Sequence, residues 1–137
     1  VEQVQQAMRL GPPVWFLAFE DASSVWWHRW LKRGYAHCFA FGFDGRQWLL
    51  FEPAFEGLIV RSAAEDEIEG WFAAASLGRL RLLRMPAVGQ AVVRPRWVVT
   101  CAGALAALVG MRSTPLTPWG LACKARALGA EEVPAHG

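Results

Sequence analysis

Apolar positions along this chain fall into two spacings, short runs of strand length and longer stretches that repeat with one face of a helix. Residues 14–19 (Val-Trp-Phe-Leu-Ala-Phe) are apolar throughout and lie between Pro12-Pro13 and Glu20-Asp21, which predicts a short buried strand. Asp21, Ser23 and Ser24 offer N-caps for a helix over 25–33, ended by Gly34 at its C′ position. Trp26, Trp30 and Arg33 follow one another at i, i+4, i+7, as do Trp27, Leu31 and Gly34, and His28 falls off most of that stripe, on the surface or rim. Residues 57–62 (Gly-Leu-Ile-Val-Arg-Ser) are β-branched enough for the third strand of an antiparallel meander. Residues 63–76 carry Glu65, Asp66, Glu67 and Glu69 early and an alanine-rich end. Acidic residues suit the positive end of a helix dipole, so this is read as a helix of about three turns with a solvated acidic face.

Further on, 79–85 alternates only partly, and Pro86, Gly89 and Pro95 mark loops around a possible strand at 91–94. Residues 97–100 form an extended entry to a helix over 101–109, with Thr100 as N-cap and Gly110 as the stop. Thr117-Pro118 opens a last helix that runs to about 128, before Gly129, with proline at N1 where its missing N–H costs nothing. Residues 1–12 are expected as a short helix or loose arm and 130–137 as a loose tail, around what is otherwise one domain.

The most informative stretch is 35–53, Tyr-Ala-His-Cys-Phe-Ala-Phe-Gly-Phe-Asp-Gly-Arg-Gln-Trp-Leu-Leu-Phe-Glu-Pro. Asp44-Gly45 is a strong hairpin signal, because a type I′ turn needs positive φ at both central residues and Asp and Gly tolerate it. A two-residue loop there sets His37 opposite Glu52, Phe39 opposite Leu50 and Phe41 opposite Trp48. Directly opposed side chains on one sheet face have Cβ atoms about 4.5–5.5 Å apart, close enough for an imidazole–carboxylate hydrogen bond. The hairpin is therefore expected to deliver an oriented histidine. Equally, a hairpin apolar on both faces is a common piece of core, and a histidine at its end is commonly just hydrogen-bonded.

Composition narrows the function classes. The 137 residues are 54% hydrophobic with eight tryptophans, ample for a core, and only 19% are charged, below the usual share of about 25%. That balance points to a further covered surface, in an oligomer or a larger assembly. A net charge of +2 gives no case for nucleic acid, and of the arginines only Arg79, Arg81 and Arg84 cluster. Cysteines at 38, 101 and 123 make no disulfide framework and fit a reducing compartment or separate roles. There is no Cys-x-x-Cys, and the histidines at 28, 37 and 136 have no metal-ligand spacing, so neither a metal nor a cofactor is expected. Residues 1–10 are polar, unlike a signal peptide. The longest uncharged run, 97–111, is 15 residues, short of the roughly 20 a spanning helix needs. It is read as a buried strand-to-helix unit rather than a membrane anchor, and a cytoplasmic or virion-associated setting is expected.

Chemistry concentrates on three residues. A cysteine in the first turn of a helix is favoured as thiolate by the helix dipole, and Cys101 is placed that way if Thr100 is the cap. A thiol nucleophile needs a base in hydrogen-bond reach and a third group to hold the base. Cys101 as nucleophile, His37 as base and Glu52 as orienter meet that need, and the Cys101 backbone N–H at the helix start is placed to donate to an oxyanion. Against this, small apolar helices often bury cysteine as a compact hydrophobe. Cys38, on the face opposite His37 by strand alternation, and Cys123, in mid-helix, are read as core residues.

The chain order, with histidine on one strand, an acidic residue just before proline on the next strand and then a cysteine opening a helix, resembles circularly permuted papain-like proteins related to the NlpC/P60 amidases. The run Trp-Val-Val-Thr-Cys-Ala-Gly-Ala-Leu-Ala-Ala-Leu-Val-Gly-Met at 97–111, continuing into Leu-Thr-Pro-Trp-Gly-Leu at 116–121, is similar to a Thr-Cys, helix and Thr-Pro-x-x-Leu pattern in small phage- and prophage-associated proteins. The similarity spans roughly 37–128, loosely in its middle. It implies Cys101 as nucleophile, His37 as base and Glu52, where the family has Asn or Asp, as third member. Tyr35 is a further candidate for lining the cleft on the His37 face. The expectation is an α+β domain, an antiparallel sheet with helices packed on it in papain-like permuted order. It would act as a cysteine hydrolase or amidase on peptide or cell-wall material. The alternative is a non-catalytic virion structural or assembly subunit that retains the core and binds other phage structural proteins.

Overall fold

The run Val-Trp-Phe-Leu-Ala-Phe-Glu forms β1 (Val14–Glu20) in the interior of a six-stranded sheet. The computed structural model describes residues 13–21, 35–54, 57–88, 100–112 and 115–134. β1 is followed by β2 (His37–Phe43), β3 (Trp48–Ala54), β4 (Gly57–Ala63), α1 (Glu65–Ser76), β5 (Arg81–Pro86), α2 (Cys101–Leu108), α3 (Pro118–Ala127) and β6 (Glu131–Glu132). Every strand pair is antiparallel, in the order β4-β3-β2-β1-β5-β6. The domain is thus α+β, an antiparallel sheet with helices packed on it. The expected helix over 25–33, His28, the possible strand at 91–94 and the arm at 1–12 lie outside the described residues.

Both faces of the sheet are covered, which is why β1 reads as a continuous apolar run and not as an alternation. Trp15, Leu17, Phe19, Cys38, Ala40, Leu83 and Met85 meet Ala102, Leu105 and Ala106 of α2 and Leu121, Ala122 and Ala125 of α3. On the other face Ala18, Phe39, Phe41, Leu50 and Leu82 meet Ile68 and Ala75 of α1, joined by an aromatic set in which Phe41 lies 4.9 Å from Trp71 and 5.3 Å from Phe16 between ring centroids. Burying one such side chain contributes roughly 1.5–3 kcal/mol. β2 therefore alternates by size as well as side, with small Cys38 and Ala40 toward α2 and large Phe39 and Phe41 toward α1. Small residues on both partners let α2 approach β2 closely.

Local signals place the helix ends. Thr100 Oγ1 accepts from the Gly103 N–H at 3.0 Å and Thr117 Oγ1 from the Gly120 N–H at 3.1 Å, with Pro118 in the first turn of α3. Gly110 and Gly129 follow α2 and α3 at φ of 83° and 97°, the left-handed conformation that favours glycine. Glu67 reaches back to the Ala64 N–H at 3.3 Å and pairs with Arg61 at 2.7 Å, which ties part of the acidic cluster to β4.

Four expectations are corrected. The hairpin loop is four residues long, because the Asp44 carboxylate accepts from both the Arg46 and Gln47 N–H groups at 2.8 Å, and only Gly45 has positive φ. The register is displaced by two residues, to Phe41↔Leu50 and Phe43↔Trp48. The partly alternating stretch after α1 is a full strand, β5, paired along β1 from Val14↔Pro86 to Phe19↔Arg81. The tail is not loose over 131–133, where β6 pairs with β5 and the Val133 N–H donates to the Leu82 carbonyl at 2.9 Å.

Candidate active site

Cys101 is the first residue of α2, directly after the Thr100 cap. In this first turn the backbone N–H groups have no acceptor further back in the helix, and Thr100 supplies one for Gly103. The helix packs through Ala102, Leu105 and Ala106 against Cys38 and Ala40 of β2, which brings the half-buried Cys101 to the start of that strand.

Two consecutive residues of β2 then contact one sulfur. The Cys38 thiol and the Cys38 backbone N–H both donate to Cys101, and the His37 ring donates to it as well. Pairing of β2 with β3 ends at Ala40↔Phe51. Continued in the same register, Cys38 would face Pro53, which has no N–H to give to a ladder. Where the two strands cease to pair, the Cys38 N–H goes to sulfur.

These contacts set the ionisation. Cys101 is pushed down to about 4, chiefly by the Cys38 thiol, against the opposing effect of burial, and further by His37 and the Cys38 N–H. His37 is raised above 6.5 by its hydrogen bond to Cys101, against burial, and further by the charges of Cys101 and Glu20 and the hydrogen bond to Glu52. The two shifts run in opposite directions and favour a thiolate beside an imidazolium. Cys38 is pushed well up, by burial first and then by the neighbouring Cys101, and stays a thiol.

The carboxylates differ from expectation. Glu52 and His37 do lie together, with Oε1 3.4 Å from Nε2 and side-chain exposures of 34% and 18%. They are diagonal neighbours and not directly opposed, since the two-residue displacement preserves the face but not the pairing. The residue directly across from His37 is Glu20 of β1. Its carboxyl is raised by burial and by the like charge of Glu52, and held down by His37. Glu20 and Cys38 are the neighbours of the candidate site that sequence reasoning missed. The only trace of Glu20 is its place as the first polar residue after the β1 run, and its meeting with His37 depends on a β1–β2 pairing with no turn signal to set it.

Tyr35 is 3% exposed and lies among the core rings, 4.8 Å from Trp119 and 5.3 Å from Phe19. Its hydroxyl accepts from Arg126 at 3.0 Å, so its described contacts are with the α3 side of the core. Cys123, expected in the core, is exposed on α3, while Leu121, Ala122 and Ala125 form that helix's buried side. Among the described residues no group of three or more His, Cys, Asp or Glu is placed to hold a metal ion, and no helix is long and apolar enough to cross a membrane. Comparison with protein-family models, with curated proteins and with solved structures gave no match.

Proposed function

We propose that this protein is a cysteine-dependent hydrolase or amidase acting on an acyl or peptide bond, with Cys101 as nucleophile, His37 as acid and base and Glu52 holding the imidazole. The observation that carries the reading is the contact of Cys101, opening a capped helix, with a histidine that is itself paired to a carboxylate. With Nε2 given to Glu52, Nδ1 is the ring atom left to face sulfur. The thiolate attacks the acyl carbon, and the first-turn N–H groups of α2 are placed to steady the oxyanion. The imidazolium protonates the leaving amine or alkoxide. The neutral ring then takes a proton from water, which hydrolyses the thioester.

The papain-like permuted order, the phage or prophage setting with its cytoplasmic or virion location, and peptide or cell-wall material as substrate complete the proposal, on the resemblance of 37–128 alone. The test is pH-resolved alkylation of Cys101 followed by a screen of acyl and peptide substrates. His37-dependent labelling in acid and turnover abolished by Cys101→Ala support it, whereas labelling only after denaturation overturns it.

A second reading, an assembly subunit without catalysis, draws on the edge strand β4, where Leu58, Ile59 and Val60 are 53%, 43% and 60% exposed. Apolar side chains exposed on an unpaired edge favour pairing with another chain. That reading predicts self-association or binding to phage structural proteins, lost on Val60→Lys, with Cys101 dispensable.

A further inference from the structure

Cys38 is a buried nucleophile with no part in acyl transfer, yet its thiol touches the sulfur that carries the chemistry. We infer that Cys38 and Cys101 are a redox pair, in which a hydroperoxide oxidises Cys101 and Cys38 closes a disulfide between β2 and the start of α2.

Three features of the fold support the pairing. Cys38 and Cys101 belong to one packed cluster, with Cys38 at 0% exposure and Cys101 reachable from solvent. The small residues of β2 and α2 keep the strand and helix close. Cys123, the third thiol, is exposed on α3 and outside the buried cluster. Peroxide thus meets Cys101 before Cys38, and the thiol in contact with the oxidised sulfur is Cys38.

The chemistry balances without another reagent. The Cys101 thiolate attacks one oxygen of the hydroperoxide, the O–O bond breaks, and sulfenic acid forms with release of hydroxide or alkoxide. The Cys38 thiol then attacks the Cys101 sulfur, and its proton leaves with the sulfenic hydroxyl as water. Two thiols lose two electrons in all, and the peroxide gains them. Sulfenic acid carries no charge, so the negative neighbour that helps to keep Cys38 protonated is gone when Cys38 must react. A thiol reductant reverses the bond by exchange. The pairing rests on the proposed hydrolase only for its consequence, that peroxide switches the nucleophile off and shields it from irreversible oxidation.

The test treats the full chain with one equivalent of hydrogen peroxide, blocks free thiols under denaturing conditions and maps the peptides. The expected product loses the mass of two hydrogens and links Cys38 to Cys101 in the parent and in Cys123→Ser alike, with Cys123 left free in the parent. Cys38→Ser should stop at a sulfenic acid that dimedone traps. The first two proteins decide the matter whether or not Cys38→Ser folds. Over-oxidation of Cys101 without the disulfide, or a bond to Cys123 alone, overturns the inference. Alkylation of the unoxidised protein separates the two readings. Cys101 that labels in acid with help from His37 but never joins Cys38 keeps the hydrolase and removes the redox pair. Cys101 that joins Cys38 but gains nothing from His37 does the reverse.

Discussion

Glu20 stands directly across from His37 in the β1–β2 register, while Glu52, the residue within 3.4 Å of the ring, is its diagonal neighbour on the other side. The imidazole is flanked by two carboxylates, and they act on it differently. Glu20 works through charge and Glu52 through a hydrogen bond, and both favour the imidazolium.

Replacing either carboxylate should therefore lower the pKa of His37. Glu20→Gln should lower it more than Glu52→Gln, because the Glu20 charge weighs more heavily on the ring, while Glu52→Gln should loosen ring orientation and reduce turnover. Titration of the His37 ring protons by NMR reads the first effect, and kcat on any substrate found by screening reads the second. A larger pKa drop in Glu52→Gln would reverse this division of roles.

Alkylation of Cys101 should rise through a pKa of about 4 and then level off. The acyl-transfer rate should instead fall again as pH climbs past the raised pKa of His37, where the leaving group loses its proton donor. His37→Ala should move the alkylation midpoint upward and cost turnover about 100-fold or more, typical for loss of a general acid–base. Iodoacetamide labelling followed by mass spectrometry across pH measures the midpoint.

The same ionisation enters stability. A thiol whose folded pKa is depressed stabilises the fold above its unfolded pKa, near 9, and that contribution fades as pH falls toward the folded value of about 4. Urea midpoints of the parent should consequently drop from neutral pH to pH 4 by more than those of Cys101→Ser. Parallel curves for the two proteins would show that the thiolate carries no net stabilisation.

Thr100→Ala removes the oxygen that accepts the Gly103 N–H at 3.0 Å. It should cost about 1 kcal/mol and slow Cys101 alkylation by displacing the first turn, with Thr100→Ser restoring most of both. Phe41→Ala lies on the opposite face, among Phe16, Trp48, Trp71 and Phe72. It should cost about 3–5 kcal/mol through the cavity it leaves, while Cys101 in the protein that remains folded keeps its acid labelling midpoint. Urea unfolding followed by tryptophan fluorescence reads both.

Local rules explain which parts were legible beforehand. Thr100, Gly110, Thr117, Pro118 and Gly129 act within a few residues of themselves, so both C-terminal helices could be placed from sequence. β5 could not, because Leu82 and Leu83 are adjacent and both buried, one toward each helical layer. A strand covered on both faces loses the alternation by which strands are recognised. The register of β2 and β3 turned on one side chain, the Asp44 carboxylate, whose two backbone hydrogen bonds lengthen the loop. Because side chains repeat every two residues along a strand, a displacement of two left His37 and Glu52 on a common face. Glu20 and Cys38 reach the site through β1–β2 pairing and helix docking, which no local pattern encodes. For Cys123, the helix was readable but its docked side was not.

Where pairing with β3 runs out before Pro53, the Cys38 N–H is given to the Cys101 sulfur. The main chain of β2 thereby monitors a chemical event. An anionic sulfur holds the Cys38 amide hydrogen, and an acylated, alkylated or oxidised sulfur releases it. Hydrogen exchange at that one amide should quicken whenever the thiolate is consumed, so the protein carries an intrinsic label for the state of its own nucleophile.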